Sequence, residues 1–360
     1  MSRASRPADD VRIAVVPGDG IGIDVTIEAV KVLEAVASSS GRRIRMTTFD
    51  WGAEAYLRTG VSLPEGALTM LQEGFDAILL GAVGDPRVPD NKHAADILLG
   101  MRFRLDLYVN HRPIKLLHER LCPLKGVAVK DVDFVVFREN TEGLYVMMGG
   151  NFKKGTSDEV ATEVDMNTYK GVERIIRHAY EFARATGRTR VCMADKSNVL
   201  IHAHDLWQRV FKAVSAEYPG IESTHLFVDN LCLQMVRKPQ QFQVIVTSNM
   251  FGDIVTDLGA ALQGGLGMAA SGNVHPGRLS LFEPVHGSAP RHAGQNVANP
   301  MGAILTAALM LEFLGWTEEA RRMEDAVRWA VETDRTTADV GGTLGTREVG
   351  DAIAQRLRSG

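Results

Sequence analysis

The chain has 360 residues, 45% of them hydrophobic and 23% charged, with a formal net charge of −4. That is the composition of a soluble globular protein with one large or two medium α/β domains, and its mild acidity argues against a surface built for nucleic acid or anionic lipid. Three cysteines, Cys122, Cys192 and Cys232, lie far apart with no CxxC pair, and they read as reduced thiols of a cytoplasmic protein.

Residues 1–10, MSRASRPADD, read as a polar tail and not a signal peptide, because no adequate apolar segment follows. VRIAVVPGDGIG predicts a strand running into a glycine-rich turn, and IDVTIEAVKVLEAVASSSG an amphipathic helix with a glycine stop. FDAILLGAVG predicts a buried strand, and DVDFVVFREN a strand ending in charge. Residues 144–167, rich in Gly, Lys and Thr, break the pattern and predict an extended arm or hairpin for a partner subunit. NTYKGVERIIRHAYEFARATG and HAHDLWQRVFKAVSAEYPG predict helices, while RTRVCMADK, THLFVDN and QFQVIVTSN predict strands. Residues 301–315, MGAILTAALMLEFLG, are too short to span a bilayer and are interrupted by Glu312, so they predict a buried helix.

Strands alternating with helices imply βαβ units and a largely parallel sheet. In such sheets chemistry gathers beyond the carboxyl ends of the strands, where this chain places FREN, ADKSN, VDN and TSNMFGD. Two familiar nucleotide motifs are absent: GDGIG at 18–22 is followed by Ile23 where GxGxxG needs glycine, and no GxxxxGK occurs. The pair His202 and His204 precedes a helix without supporting Cys or Glu ligands, and reads as a capping or solvated pair.

NMFGDIVTDLGA, residues 249–260, predicts a helix capped by Asn249 and carrying Asp253 and Asp257 one turn apart. Like charges at that spacing repel by a few tenths of a kcal/mol. Helix electrostatics explains Asp253 if it lies in the first turn, but Asp257 comes a turn too late. The alternative is a hard divalent cation, Mg²⁺ or Mn²⁺, held by oxygen ligands. Arg102, Arg104, Arg112 and Arg138 offer guanidinium forks suited to a di- or tricarboxylate, although arginines on a helix are ordinarily solvated surface. Tyr145 and Lys196 add a phenol and an amine able to move protons.

Together these residues resemble the β-decarboxylating dehydrogenases of 2-hydroxy acids, which comprise isopropylmalate, isocitrate, homoisocitrate and tartrate/D-malate dehydrogenases. The resemblance runs from VPGDGIG to about residue 350 and is most specific in NMFGDIVTDLGAALQGGLGMAASGNV, LFEPVHGSAP and NVANPMGAI. It implies the two-domain α/β fold of isopropylmalate and isocitrate dehydrogenases, not an ordinary Rossmann fold. Residues 1–107 with 264–360 would form the large cofactor-binding domain, and 108–263 the substrate and dimerisation domain with its arm.

The resemblance also implies roles. Arg102, Arg112 and Arg138 look like the clamp for the malate part of the substrate, and Leu98 and Leu99 like the contacts to its side group. Asp253 and Asp257 look like metal ligands, with Asp229 supplied by the other subunit of a homodimer that shares its active sites. Lys196, also from across the dimer, resembles the base that takes the C2 hydroxyl proton directly, through Asp229 or through a water. Tyr145 resembles the acid that protonates the enol carbon after CO₂ leaves, and Asn198 stands near the cofactor. The nucleotide would lie on His286, Gly287, Ser288 and Ala289 of HGSAP and on the loop to Asn299.

Two features depart from the family pattern. Where NAD-dependent members carry an acidic residue after GSAP, this chain has Arg291 and His292, which suit the 2′-phosphate of NADP. Arg335 is a further candidate; the alternatives are NAD and an Arg291 that simply points into solvent. Ahead of Arg102, Leu98 and Leu99 fit the apolar group of 3-isopropylmalate, and the Ser and Asn of isocitrate enzymes are missing. Ala95 and Asp96 match neither group, while tartrate/D-malate enzymes also carry leucines here. A non-catalytic regulatory subunit usually lacks an arginine, the tyrosine or an aspartate, all of which are present.

Overall fold

The computed structural model describes residues 10–359, so residues 1–9 of the polar tail lie outside the described residues. The chain divides into two compact units. One comprises the described residues up to Leu107, Arg112–Val132 and the chain from Ala260 onward; the other comprises Tyr108–His111 and Asp133–Gly259. Among the described residues no helix is long and apolar enough to cross a membrane.

In the first unit the strands run in the order Arg43–Thr48, Asp10–Val16, Ala77–Leu80, Leu281–Pro284 and Ala270–Val274. The pairings are parallel, with Ile13 opposite Met46 and Val15 opposite Leu79, until Leu281–Pro284 meets Ala270–Val274 antiparallel. AILL at 77–80 is apolar at every position because its residues are buried on both faces, whereas RIRMTT at 43–48 lies at an edge and is largely exposed. Helix Ile21–Ser39 buries an apolar stripe that includes Val25, Val32 and Val36. Helix Met301–Phe313 is buried on nearly every side, which accounts for its lack of a polar face. Its one buried hydroxyl, Thr306 Oγ1, donates to the Gly302 carbonyl at 2.8 Å.

The second unit holds the parallel strands Asp133–Glu139, Val244–Thr247, Arg190–Asp195 and Glu222–Phe227, in that order. Helix Tyr169–Thr186 starts at Thr168, whose hydroxyl accepts the Gly171 N–H at 3.0 Å, and stops at Gly187. Residues 144–167 fold as a hairpin of Gly149–Phe152 antiparallel to Val160–Glu163, with both strands exposed.

One local expectation fails. VDN is not the end of a strand: Glu222–Phe227 gives way at once to helix Val228–Arg237, and Asp229 sits in its first turn. Only Leu231 and Met235 of that helix are buried, while Leu233 and Val236 are exposed, so its apolar residues run round the helix and no single-faced period shows in the sequence.

Candidate functional site

The carboxyl ends of the strands in the second unit carry the polar side chains. Arg138, only 1% exposed, is the penultimate residue of the strand Asp133–Glu139. Its Nε and Nη2 donate to Asn249 Oδ1 at 2.9 and 2.7 Å, and its Nη1 donates to the Asp253 carboxylate. The guanidinium lies 4.8 Å from the centre of the Tyr145 ring, and the Tyr145 hydroxyl donates to Asp253 Oδ2 at 2.7 Å. Arg138, Tyr145 and Asp253 thus form one charge-assisted group. Burial, and then the bond to Asp253, holds the Tyr145 phenol above its ordinary pKa, so it is a protonated donor at neutral pH.

Two expectations for helix Asn249–Leu262 are corrected here. Asn249 is its first residue, and its side-chain oxygen receives Arg138 instead of capping the helix, while its Nδ2 donates to the Glu142 carbonyl at 3.0 Å. Asp253 therefore lies in the second turn, and the helix dipole gives it little. The positive charge beside it is Arg138. Gly252 makes this possible: a Cβ there would stand 2.5 Å from both Cβ and Cγ of Arg138. Asp257 is exposed one turn further on. Among the described residues no three His, Cys, Asp or Glu side chains converge as a metal-binding group.

A second group surrounds Lys196, which follows the strand Arg190–Asp195. Its amine lies 2.5 Å from Asp229 Oδ1, and this bond holds the Asp229 carboxyl below the ordinary range. The loop is anchored by buried Asp195, which accepts from Ser197 N and Oγ at 3.1 Å, Gln208 Nε2 at 2.6 Å and lies 2.8 Å from His225 Nε2. The Lys196 N–H donates to His204 Nδ1 at 2.8 Å. His204 is thus buried and bonded, while His202 is exposed, so the reading of both as a solvated or helix-capping pair is corrected for His204. Asn198 is exposed in the turn that follows Lys196.

In the first unit, buried Arg102 donates from Nη2 to Glu283 Oε1 at 2.9 Å, and Asn273 Nδ2 donates to the same oxygen at 2.8 Å. Arg112 is buried in the strand Val109–Lys115. Leu98 and Leu99 lie on a π-turn, Ala95–Leu99, with Leu98 packed on the core. Asp96, which fitted no family pattern, accepts from Ser62 Oγ at 2.8 Å.

GDGIG, which failed as a dinucleotide fingerprint, instead ties loops together. Asp19 accepts from Ala53 N at 2.6 Å and Gly84 N at 2.8 Å, and lies 2.8 Å from His93 Nε2. The Ile21 N–H donates to the Ser288 carbonyl at 2.7 Å, and a Cβ on Gly20 would stand 2.1 Å from that oxygen. The approach of the HGSAP loop therefore requires glycine there. Asp24 accepts from Gly294 N at 2.7 Å. Within the loop His286 is buried and kept neutral by desolvation; its Nδ1 lies 3.0 Å from the Gly287 carbonyl, and its Nε2 has no partner. Gly287 is exposed, Ser288 is buried and Ala289 adopts φ 35°. Arg291 and His292 sit exposed on the turn Pro290–His292. Asn299 is turned inward, with Nδ2 donating to Asp339 at 3.0 Å and Oδ1 accepting the Met301 N–H at 2.9 Å.

Asn249, Asp195, His204, Glu283 and Asp19 were missed as site residues. Asp195 directly precedes Lys196, but nothing in the spacing around any of the five says which backbone or side chain it will hold.

Comparison with known proteins places the chain in one family. Residues 12–353 match the family model described as isocitrate/isopropylmalate dehydrogenase. The chain is 47% identical over 352 residues to 3-isopropylmalate dehydrogenase of Thermobifida fusca, covering 97% of this chain and 98% of that protein. It is 48% identical over 351 residues to the same-named enzyme of Corynebacterium jeikeium, covering 97% and 100%. Among solved structures, isocitrate dehydrogenase from Methylococcus capsulatus superimposes with a TM-score of 0.87 at 36% identity, covering 97% of this chain and 99% of that one. The TT0538 protein from Thermus thermophilus gives 0.85 at 37% identity, covering 96% and 68%.

Proposed function

The chain belongs to the isocitrate/isopropylmalate dehydrogenase family, and from that premise we propose that it oxidatively decarboxylates 3-isopropylmalate. The observation that carries the reading is the group of Arg138, Tyr145 and Asp253, which joins a carboxylate-binding fork, a protonated acid and a metal-ligand carboxylate in one hydrogen-bonded unit. The leucines of the π-turn favour an apolar side group over a third carboxylate.

The family is metal- and nicotinamide-dependent, and the residues present fit both groups. Asp253 and Asp257 offer hard carboxylate oxygens one turn apart, as Mg²⁺ or Mn²⁺ requires, and a third carboxylate is wanted from elsewhere. In the HGSAP loop, the buried and unpartnered His286 Nε2 beside Ser288 suits a donor group of a nucleotide. A cation held by Asp253 and Asp257 would supply Lewis-acid polarisation of the C2 oxygen, and a nicotinamide would supply the hydride acceptor. Arg102, Arg112 and Arg138 fork the two malate carboxylates. Lys196 takes the C2 hydroxyl proton, and Asp229 keeps its amine oriented. After CO₂ leaves the β carbon, Tyr145 donates its proton to that carbon.

Two finer assignments follow. Arg291 and His292 make NADP the preferred cofactor; among the described residues the Arg291 guanidinium enters no hydrogen bond or ion pair, which leaves its charge for a 2′-phosphate. The working form is a cytoplasmic homodimer in which Asp229 and Lys196 of one copy complete the site built on Tyr145, Asp253 and Asp257 of the other. Exposed Leu233, Val236, Ile254 and Phe152 on the two helices and the hairpin supply an apolar surface for that contact.

The test is the initial rate of NADPH formation from 3-isopropylmalate with Mg²⁺ and NADP⁺, with NAD⁺ in parallel. A rate that vanishes on adding chelator is expected. No rate with either cofactor would sink the substrate assignment.

A further inference from the structure

We propose that His204 is a positioning residue for Lys196, an assignment that rests on the reading of Lys196 as the base. His204 is 1% exposed in the first turn of helix Ala203–Ser215. Its Nδ1 accepts the Lys196 N–H at 2.8 Å. An amide nitrogen only donates, so Nδ1 carries no proton and the neutral ring bears its hydrogen on Nε2. That nitrogen faces the Asp165 carboxylate at 3.7 Å. Asp165 is in turn held by Asn167 Nδ2 at 2.9 Å, and Asn167 Oδ1 accepts the Trp207 indole N–H at 2.8 Å. The imidazole meets the Phe251 ring edge-on with centroids 5.4 Å apart.

The other side of Lys196 is fixed as well, because its carbonyl accepts the N–H groups of Val199 and Leu200, both at 2.9 Å. With both backbone polar groups engaged, only the side-chain torsions of Lys196 remain to be set, and the amine closes on Asp229. Desolvation lowers the pKa of His204 against the opposing pull of Asp165 and Asp195, which keeps Nδ1 an acceptor near neutral pH. Without that acceptor the Lys196 amide loses its partner and the base loop shifts. A misplacement of about 1 Å at a reacting group lowers turnover on the order of 100-fold.

The experiment compares His204→Phe, which keeps the ring without the acceptor, with His204→Asn, whose amide oxygen can stand in for Nδ1. Lys196→Met serves as control, and all are the full chain assayed at saturating cofactor and metal. His204→Phe should lower kcat about 10- to 100-fold with KM within about twofold, while His204→Asn returns kcat to within about threefold of the parent. Lys196→Met should be inactive. If His204→Phe does not fold, His204→Ala takes its place without added bulk. An unchanged kcat in the Phe or Ala variant, or an Asn variant as slow as either, overturns the positioning role while leaving the base assignment standing. Normal turnover by Lys196→Met overturns the base assignment and this proposal together.

Discussion

Arg138 illustrates how one side chain resolves a local conflict. Two aspartates one turn apart on helix Asn249–Leu262 are unfavourable neighbours, yet a buried guanidinium reaches Asp253 while its fork closes on Asn249. Lysine has no such fork, so the position requires arginine. Arg291 is the opposite case, a cation on an exposed turn, and its proposed role is to attract a 2′-phosphate. Arg291→Asp should reduce kcat/KM with NADP⁺ at least about 10-fold and raise that with NAD⁺, since a carboxylate repels the 2′-phosphate. The ratio of the two values in initial-rate assays decides it, and an unchanged ratio removes Arg291 from cofactor choice.

At the scale of elements, packing of helix Asn249–Leu262 against the strand Asp133–Glu139 depends on Gly252. In an open helix Gly→Ala stabilises by about 1 kcal/mol, but here the new methyl would overlap Arg138, and overpacking costs about 1–3 kcal/mol. Gly252→Ala should therefore lower the thermal midpoint and reduce activity together. A variant that melts higher and keeps full activity would contradict this packing. The same helix shows how far its sequence could be read. The spacing of Asp253 and Asp257 was legible because helical periodicity is local, while the partner of Asn249 lies more than a hundred residues away in sequence. His204 is illegible for a different reason: Lys196 is only eight residues before it, but the turn between them, which no periodicity describes, sets whether the ring meets the Lys196 amide.

At the scale of the molecule, the candidate chemistry falls into two bonded groups, Arg138–Tyr145–Asp253 and Lys196–Asp229. If two copies share sites, Tyr145→Phe and Lys196→Met are each inactive, and an equal mixture refolded together should recover about a quarter of the parent activity through mixed dimers with one intact site. No recovery would place both groups in the same copy.

A second prediction concerns acid. Burial holds His111 at about 4 and His178 at about 3, below the ordinary 6.5, while buried Glu139 is pushed up to about 6. Below pH 6.5 the unfolded chain takes up two protons that the folded histidines refuse, and between 4.5 and 6 folded Glu139 retains one that the unfolded chain releases. The net difference of about one proton makes stability fall as pH drops, by about 1.4 kcal/mol per unit. Urea midpoints at pH 7 and pH 5 measure it, and a higher midpoint at pH 5 would refute it.

The sequence by itself determined the alternation of strands and helices, the buried helix at 301–313 and the family, because patterning and long motifs are written in neighbouring residues. Tertiary structure alone decided that Asn249 holds Arg138, that GDGIG clamps the HGSAP loop and that His204 holds Lys196. The first two join distant segments and the third spans eight residues, but in each a group's hydrogen-bond partner is fixed only when the fold removes it from water and leaves it one donor or acceptor within reach.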